Sequence, residues 1–375
     1  MTDKSATGPG RTKAKTFYAS LDALRGLAAF AVVFFHLGNW THSYNWVPRG
    51  DLAVDFFFCL SGFVMAHAYG SRIGKDLNFI DFAWTRLIRL YPLMALSVVI
   101  AAAYFLSKII LSNEDVALGD IVTASVLGLL VLPYLGETIV LSGPLEVFPI
   151  NGPLWSLFYE LLINFAWAAA FAILTFRRVV GFAIVCAGLL LAAGLAHGDL
   201  LLGDRTSDFF WGIPRVGVSF AAGLIVYALH KKSIIPFRVP FWAVALALMI
   251  PLLIPRGTDA NLSVILDALF IYGWTPFLVL LAAGIHQSGR GLSLSRIGGE
   301  LSYPIYVLHF PLFAWSNGIT QFLDIPAPIW VLISLHLTVI VCGSWLALIA
   351  FDRPVRRLLN SRRTKRKCSV TGQLS

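Results

Sequence analysis

Arg25 and His36 stand eleven positions apart inside the apolar run LDALRGLAAFAVVFFHLGNW. On a helix that separation is about three turns and roughly 16 Å, so the two side chains share a face at different depths. An ionisable side chain at the centre of a membrane helix costs about 2.5–3.5 kcal/mol on insertion scales, and residues kept at that cost mark sites and pathways. Arg25 lies near one end of the run, where it can snorkel and pair with Asp22 one turn earlier, so anchoring accounts for it as well as function does. His36 is too deep for that account.

The same device recurs along the chain. In TRLIRLYP, Arg86 and Arg89 are neighbours on one helix, either anchors at the cytoplasmic surface or a fork for an anion such as phosphate. In NGPLWSLFYELLINF, Ser156, Glu160 and Asn164 recur every four residues as one polar stripe. A buried carboxylate such as Glu160 needs a partner or a proton. In ELSYPIYVLHFPLF, Ser302, Tyr306 and His309 share a face of a run that Pro304 and Pro311 distort, freeing backbone carbonyls. Asp51 and Asp55 sit one turn apart at the start of another run, Asp51 as a candidate helix cap and Asp55 deeper. Arg215 lies inside WGIPRVGVSFAAGL, nearer the outer surface. The remaining histidines, His42, His67, His197, His230, His286 and His336, read as loop, interface or packing residues.

One chemistry suits this arrangement. A long ligand with a phosphate-bearing head can bind arginines at the cytoplasmic surface and send a thin arm toward His36, and an acyl thioester of coenzyme A has that shape. A histidine near its ordinary pKa can deprotonate an acceptor hydroxyl, or carry the acyl group itself before passing it on. The residues leave both routes open.

The elements that must position these groups follow from composition. The chain has 375 residues, 58% hydrophobic and 13% charged, where soluble domains carry about 25% charged residues. It reads as an all-α polytopic membrane protein partnered by the lipid bilayer. The net charge of +9 comes from short basic segments between apolar runs, which act as topology signals rather than as a nucleic-acid patch. Cys59, Cys186, Cys342 and Cys368 are scattered without metal-ligand spacing, so neither a disulfide framework nor a metal site is expected. The first run lacks a cleavage site and reads as an uncleaved span.

Eleven apolar runs can be counted, near 20–40, 52–70, 90–111, 119–135, 154–175, 179–196, 209–229, 239–254, 262–286, 300–317 and 327–350. Both termini are basic, and placing every basic segment in the cytoplasm requires an even number of crossings. The expected fold is therefore a helical bundle of about ten transmembrane helices, with residues 119–135 re-entrant or interfacial and edging a cavity that opens outward. Residues 1–17 read as a cytoplasmic polar tail, 18–359 as the membrane domain, and 360–375 as a basic, disordered cytoplasmic tail.

The blocks LDALRGLAAFAVVFFH, VDFFFCLSGFV, RLIRLYP, NGPLWSLFYE, LSYPIYVLHFP and FDRPVRRLL occur in that order across residues 21–359. Together they resemble membrane acyltransferase family 3, bacterial multi-pass enzymes that O-acylate cell-surface and secreted glycans. The resemblance implies that His36 is the catalytic histidine, with Arg25 completing the arginine–ten residues–histidine motif. It assigns Arg86 and Arg89 to the acyl-CoA side and matches Glu160 and His309 to further functional positions. In that scheme Glu160 and His309 orient His36 or the acceptor hydroxyl, and Asp55, Arg215, Ser156 and Tyr306 contact the substrate. The donor is acetyl-CoA or another acyl-CoA, and no metal takes part. Two departures stand out: Asp352-Arg353-Pro354 replaces the family's more frequent Glu-Arg-Pro, and Glu160 follows Phe158-Tyr159 as a single carboxylate. The chain ends soon after its last span, so a second transfer step, which some members make on a fused domain, is expected to need another protein.

The chain is expected in the bacterial inner membrane, transferring an acyl group, acetyl first and succinyl as the competitor, to a cell-surface or secreted glycan, with polysaccharide assembly proteins as expected partners. A glycan transporter or flippase is the contrasting class. Transporters commonly show two matching halves with paired broken helices, and the interruptions at Pro153, Pro214 and Pro304–Pro311 do not pair in that way. A passive assembly partner would leave the buried charges without a purpose.

Overall fold

The computed structural model describes residues 18–41, 46–111, 116–143, 145–232, 239–285 and 288–371. The tail 1–17, His42 and His286 lie outside them. Among the described residues thirteen α-helices follow one another: α1 (Ala19–Trp40), α2 (Ala53–Tyr69), α3 (Phe79–Leu111), α4 (Leu118–Leu130), α5 (Leu154–Ala170), α6 (Phe176–His197), α7 (Gly212–Lys231), α8 (Phe241–Leu253), α9 (Ala260–Leu269), α10 (Thr275–Ala283), α11 (Gly289–Phe322), α12 (Ile329–Ala347) and α13 (Arg353–Thr371). Among the described residues there is no β-strand, only two isolated bridges.

Runs of Leu, Ala, Phe and Val satisfy their backbone groups internally as helices, which hydrocarbon demands. Among the described residues, eight elements are long and apolar enough to cross a membrane: α1, α2, α3, α5, α6, α7, the α9–α10 pair and the continuous α12–α13 stretch. At 34 residues α11 is also long enough, but Arg296, Glu300 and its serines lower its apolar character. Large apolar side chains such as Ile184 and Val185 on α6, Trp242 on α8 and Leu346 on α12 point outward, as a lipid-facing surface requires.

Two short helices bear on the expected count. Both α4 and α8 have 13 residues, about 20 Å of helix against a hydrocarbon core of about 30 Å. For α4 this agrees with a segment that does not span. The helix over 239–254, expected as a full span, is shorter than the run, ending where Pro251 stops adding to the ladder and the chain turns extended at Ile254. It still joins the end where His230 meets Tyr18 to the end where the Leu252 carbonyl accepts from the Arg49 N–H. At the other end of the chain, helical backbone continues through Thr371, inside the stretch expected as a disordered tail. No Pro or Gly interrupts residues 355–371, and Arg, Lys and Leu favour helix.

The bundle is organised around two close crossings. Helix α1 runs parallel to α11, so Arg25 meets Ser302 and His36 meets His309. Gly26 and Gly298 make this possible, because a Cβ on Gly26 would stand 3.1 Å from the Gly298 Cα. Helix α2 lies against α7 as closely: a Cβ on Gly62 would stand 2.1 Å from the Phe220 carbonyl oxygen. Close backbone approach through small residues is how membrane helices gain contact without a hydrophobic driving force.

The first turn of α1 marks one end of the bundle, called lower here. Asp22 and Arg25 lie there with Gly299 of α11, and Arg363 of α13 reaches back to Asp81 at the start of α3 at 2.8 Å. The first and last described helices therefore share that end, as an even number of crossings requires. At the upper end, the α4–α5 and α6–α7 loops are stitched together. The Val147 N–H donates to the Asp204 carbonyl at 3.0 Å and the Thr206 N–H to the Leu145 carbonyl at 2.8 Å, around the Glu146–Arg205 bridge.

Candidate active site: two cavities and a histidine pair

The lower cavity, about 100 Å³, gathers arginines from two helices. Arg25 donates from Nε to Ser302 Oγ at 2.8 Å and pairs with Asp22 at 2.9 Å. Arg86, only 3% exposed, pairs through Nη2 with Glu160 Oε1 at 2.6 Å. Ser61 also donates to that carboxylate oxygen, at 3.2 Å. The Arg86 Nε is buried without a partner among the described residues, and Arg89 is exposed on the cavity wall. Three guanidinium groups against one lining carboxylate give this mouth a positive surplus, the electrostatics of a phosphate site.

The upper cavity is larger, about 500 Å³, and of opposite character. His36 opens onto it beside Trp40 and Trp155, with Arg205, Arg215 and Arg256 as its arginines and Asp51, Glu146, Asp199, Asp204 and Asp208 as its carboxylates. Five acids against three arginines make it acidic. Arg215 is held by a two-pronged ion pair with Asp55, at 3.1 Å from Nε and 2.8 Å from Nη2, and lies 5.1 Å over the Trp155 ring. Asp55 itself is fully buried behind Arg215 and does not line the cavity. Asp51 accepts from Arg256 at 3.0 Å and from the Leu52 N–H at 2.9 Å, an ion pair and a contact with the adjacent residue in place of the helix cap expected of it.

Glu146 sits in a cradle between Gly143 and Gly152, where a Cβ on either glycine would stand 2.5 Å from its carboxylate, and it accepts from Ser142 Oγ at 2.5 Å. Burial, with Asp204 nearby, pushes its carboxyl up to about 7 against the opposing pull of Ser142 and Arg205. Burial and the neighbouring Asp208 raise Asp204 in the same way. Asp208 spends one oxygen on the N–H groups of Gly203 and Arg205, shaping the α6–α7 loop.

Helix α11 carries the device that joins the two regions. Its Ser302, Tyr306 and His309 lie on one face at successive depths, facing Arg25, Ser156 and His36 respectively. His309 is fully buried, with Nδ1 2.6 Å from the Tyr306 carbonyl oxygen. A carbonyl only accepts, so that nitrogen carries the proton and Nε2 is left as an acceptor. Among the described residues this buried Nε2 has no partner. The His36 and His309 rings are 5.2 Å apart, and Trp40 stacks on both, at 4.8 and 5.6 Å. Pro311 leaves the Val307 carbonyl without its helical donor. Asn151, in the loop before α5, supplies one at 3.2 Å and also donates to Ser97 at 3.0 Å.

The structure thus brings His36 and His309 together and gathers Arg25, Arg86 and Arg89 with Glu160, which lies in the arginine cavity and not in that of His36. Ser156 and Tyr306 stand between the two cavities. The third member of the α5 stripe, Asn164, is buried one turn further on. Trp40, Trp155, Glu146, Asp204 and Asp208 of the upper cavity were not singled out from sequence, and His197, read there as a loop, interface or packing residue, also lines it. The acidity of HGDLLLGDRTSD was visible there only as a topology signal. His336, read as packing, bonds to Ser316 at 2.8 Å. Among the described residues no three His, Cys, Asp or Glu side chains converge as metal ligands do.

Comparison with known proteins agrees with this architecture. The family profile described as an acyltransferase domain matches residues 18–348. Protein 2 in the picA locus of Rhizobium radiobacter is 36% identical over 46% of this chain and 92% of its own length. The exopolysaccharide production protein ExoZ of Rhizobium meliloti is 27% identical, over 84% of this chain and 92% of its own. The peptidoglycan O-acetyltransferase OatA of Listeria monocytogenes is 25% identical over 84% of this chain, which spans about half (52%) of that relative's length. No solved structure matches the chain.

Proposed function

The chain belongs to membrane acyltransferase family 3, and from that premise we propose that it transfers an acyl group, acetyl in the first place, from acyl-CoA to a hydroxyl of a cell-surface or secreted glycan. That it is a multi-pass membrane acyltransferase follows from the family and the helices; donor, acceptor and orientation are the proposal. One observation carries it: the guanidinium cluster and His36 occupy opposite cavities of one bundle, back to back. A donor with an anionic head and an acceptor with hydroxyl groups are thereby received from opposite ends.

In this reading the lower end is cytoplasmic, both termini lie on that side, and the membrane is the bacterial plasma membrane. Arg25, Arg86 and Arg89 hold the phosphates of the donor, with Glu160 fixing Arg86 in place. His36 takes the proton of the acceptor hydroxyl as its oxygen attacks the acyl carbonyl carbon. The carbon–sulfur bond breaks, and His36 returns the proton to the departing sulfur. His309, its Nδ1–H committed to Tyr306, presents a free Nε2 beside His36 and holds it in register. Trp40, stacked against the histidine pair, and Trp155, beneath Arg215, wall the acceptor site with aromatic rings, and the carboxylates accept from sugar hydroxyls.

The test compares membranes carrying the wild-type chain or His36→Ala at matched levels, supplied with acetyl-labelled acetyl-CoA. Label in the extracted glycan that vanishes with His36 is the expected result. Equal label in both removes His36 from the chemistry.

A further inference from the structure

Tyr306 lines both cavities, and so does Val54 of α2. No other side chain is shared between the two linings among the described residues. Tyr306 Oη is 2.6 Å from Ser156 Oγ, both side chains are buried, and Ser156 also donates back to the Pro153 carbonyl at 3.1 Å. The edge of Phe57 meets the Tyr306 ring at 5.5 Å from the lower side. A hydrogen-bonded crossbar between α5 and α11 thus closes the bundle at the level where the arginine cavity ends and the His36 cavity begins.

We propose that the Ser156–Tyr306 pair is the partition between donor and acceptor cavities, and that its narrow opening restricts transfer to short acyl groups of two or three carbons. The inference rests on the acyltransferase reading above. It assigns chain-length selection to the passage rather than to the room beyond it, because the upper cavity, at about 500 Å³, has space for far more than an acetyl group. The backbone around the pair can yield. Pro304 and Pro311 flank Tyr306 and remove two rungs of the α11 ladder. The Tyr306 carbonyl is bonded to His309, so movement of the partition is felt at the histidine pair.

Two experiments test it together. In the first, membranes carrying wild type, Tyr306→Phe or Ser156→Ala receive acetyl-, propionyl-, butyryl- and hexanoyl-CoA, and acyl groups on the glycan are counted. Tyr306→Phe keeps the ring and removes only the crossbar. The ratio of butyryl to acetyl transfer is expected to rise roughly five- to tenfold in both variants, the equivalent of one net hydrogen bond. An unchanged ratio overturns the proposal.

The second needs no acyl transfer. In a chain with Cys342 and Cys368 replaced by serine, Val64→Cys marks the lower cavity and Val32→Cys the upper; Cys59 and Cys186 are buried. Membrane-impermeant 2-sulfonatoethyl methanethiosulfonate is applied to the face bearing Arg86 and Arg89. Val64→Cys is expected to react in both backgrounds, which shows that the reagent enters the lower cavity. The buried Cys59 and Cys186 stay unreactive in both, which certifies folding, and Val32→Cys reacts only when Tyr306→Phe is present. Equal reaction of Val32→Cys with and without Tyr306→Phe overturns the partition. Wild-type membranes that transfer no acyl group at all would defeat the acyltransferase reading, while the labelling would still decide the partition.

Discussion

His309 lies 5.2 Å, ring centre to ring centre, from His36, with Nδ1 committed to the Tyr306 carbonyl and Nε2 unpartnered among the described residues. A buried nitrogen left with a free lone pair costs stability. Its position beside the cavity histidine gives that cost a purpose. His309→Phe keeps the stacking on Trp40 but removes both nitrogens. Acetyl transfer is expected to fall about 10²- to 10³-fold. The loss should lie in kcat, with the KM for the donor unchanged, because the arginine cavity is untouched. Steady-state kinetics in membranes separates the two parameters.

Arg86 and Glu160 carry both structure and donor binding. Glu160→Gln leaves the buried guanidinium uncompensated and should lower stability by about 3 kcal/mol, the low end for a broken buried pair because Glu160 is 20% exposed. Replacing both, as Arg86→Met with Glu160→Leu, is expected to restore much of the stability and none of the activity. Thermal unfolding in detergent beside donor kinetics measures the two roles separately.

Asp55 and Asp51 offer a matched contrast one turn apart. Asp55→Asn strands Arg215 with both partners almost fully buried and should cost about 3–5 kcal/mol. The Asp51–Arg256 pair is 18% and 27% exposed, and Asp51→Asn should cost about 1 kcal/mol or less. Comparable losses at the two positions would contradict the burial difference.

Glu146 carries a pH dependence. Its folded-state pKa, about 7, lies above the usual 4.5, so the folded chain holds a proton there that the unfolded chain has lost. Its contribution is present below about pH 4.5 and is lost as pH rises through about 7. Tm measured in detergent between these limits should fall with rising pH, and Glu146→Gln should flatten that slope. An identical slope in the variant would show that other groups carry it.

Gly62 tests the α2–α7 crossing. An added methyl would meet the Phe220 carbonyl oxygen at 2.1 Å, and backbone cannot swing aside as a side chain can. Gly62→Ala should destabilise by about 1–3 kcal/mol, whereas Gly181→Ala on α6, where nothing stands within 4 Å, should be neutral or better. Paired melting curves give the difference.

Much was legible in the chain before folding. Apolar runs of membrane length dictate helices because hydrocarbon leaves the backbone no other partner. Sparse ionisable residues within those runs pointed to Arg25, His36, Glu160 and His309. Helical periodicity also placed Ser302, Tyr306 and His309 on one face. What periodicity cannot carry is which helix that face meets, since every apolar run satisfies the same burden. Only the tertiary structure separates Glu160 from His36, sets Asp55 behind Arg215, and stacks Trp40 on two histidines distant in sequence. The acidic upper cavity was hidden for a further reason. Its walls are loops around Glu146 and Asp204, which lack periodicity and take their shape from backbone bonds between segments some sixty residues apart. Local composition determines the elements and the depth of each polar group. Long-range packing determines which polar groups share a cavity, because that choice is made by close approach at glycines and by non-local hydrogen bonds.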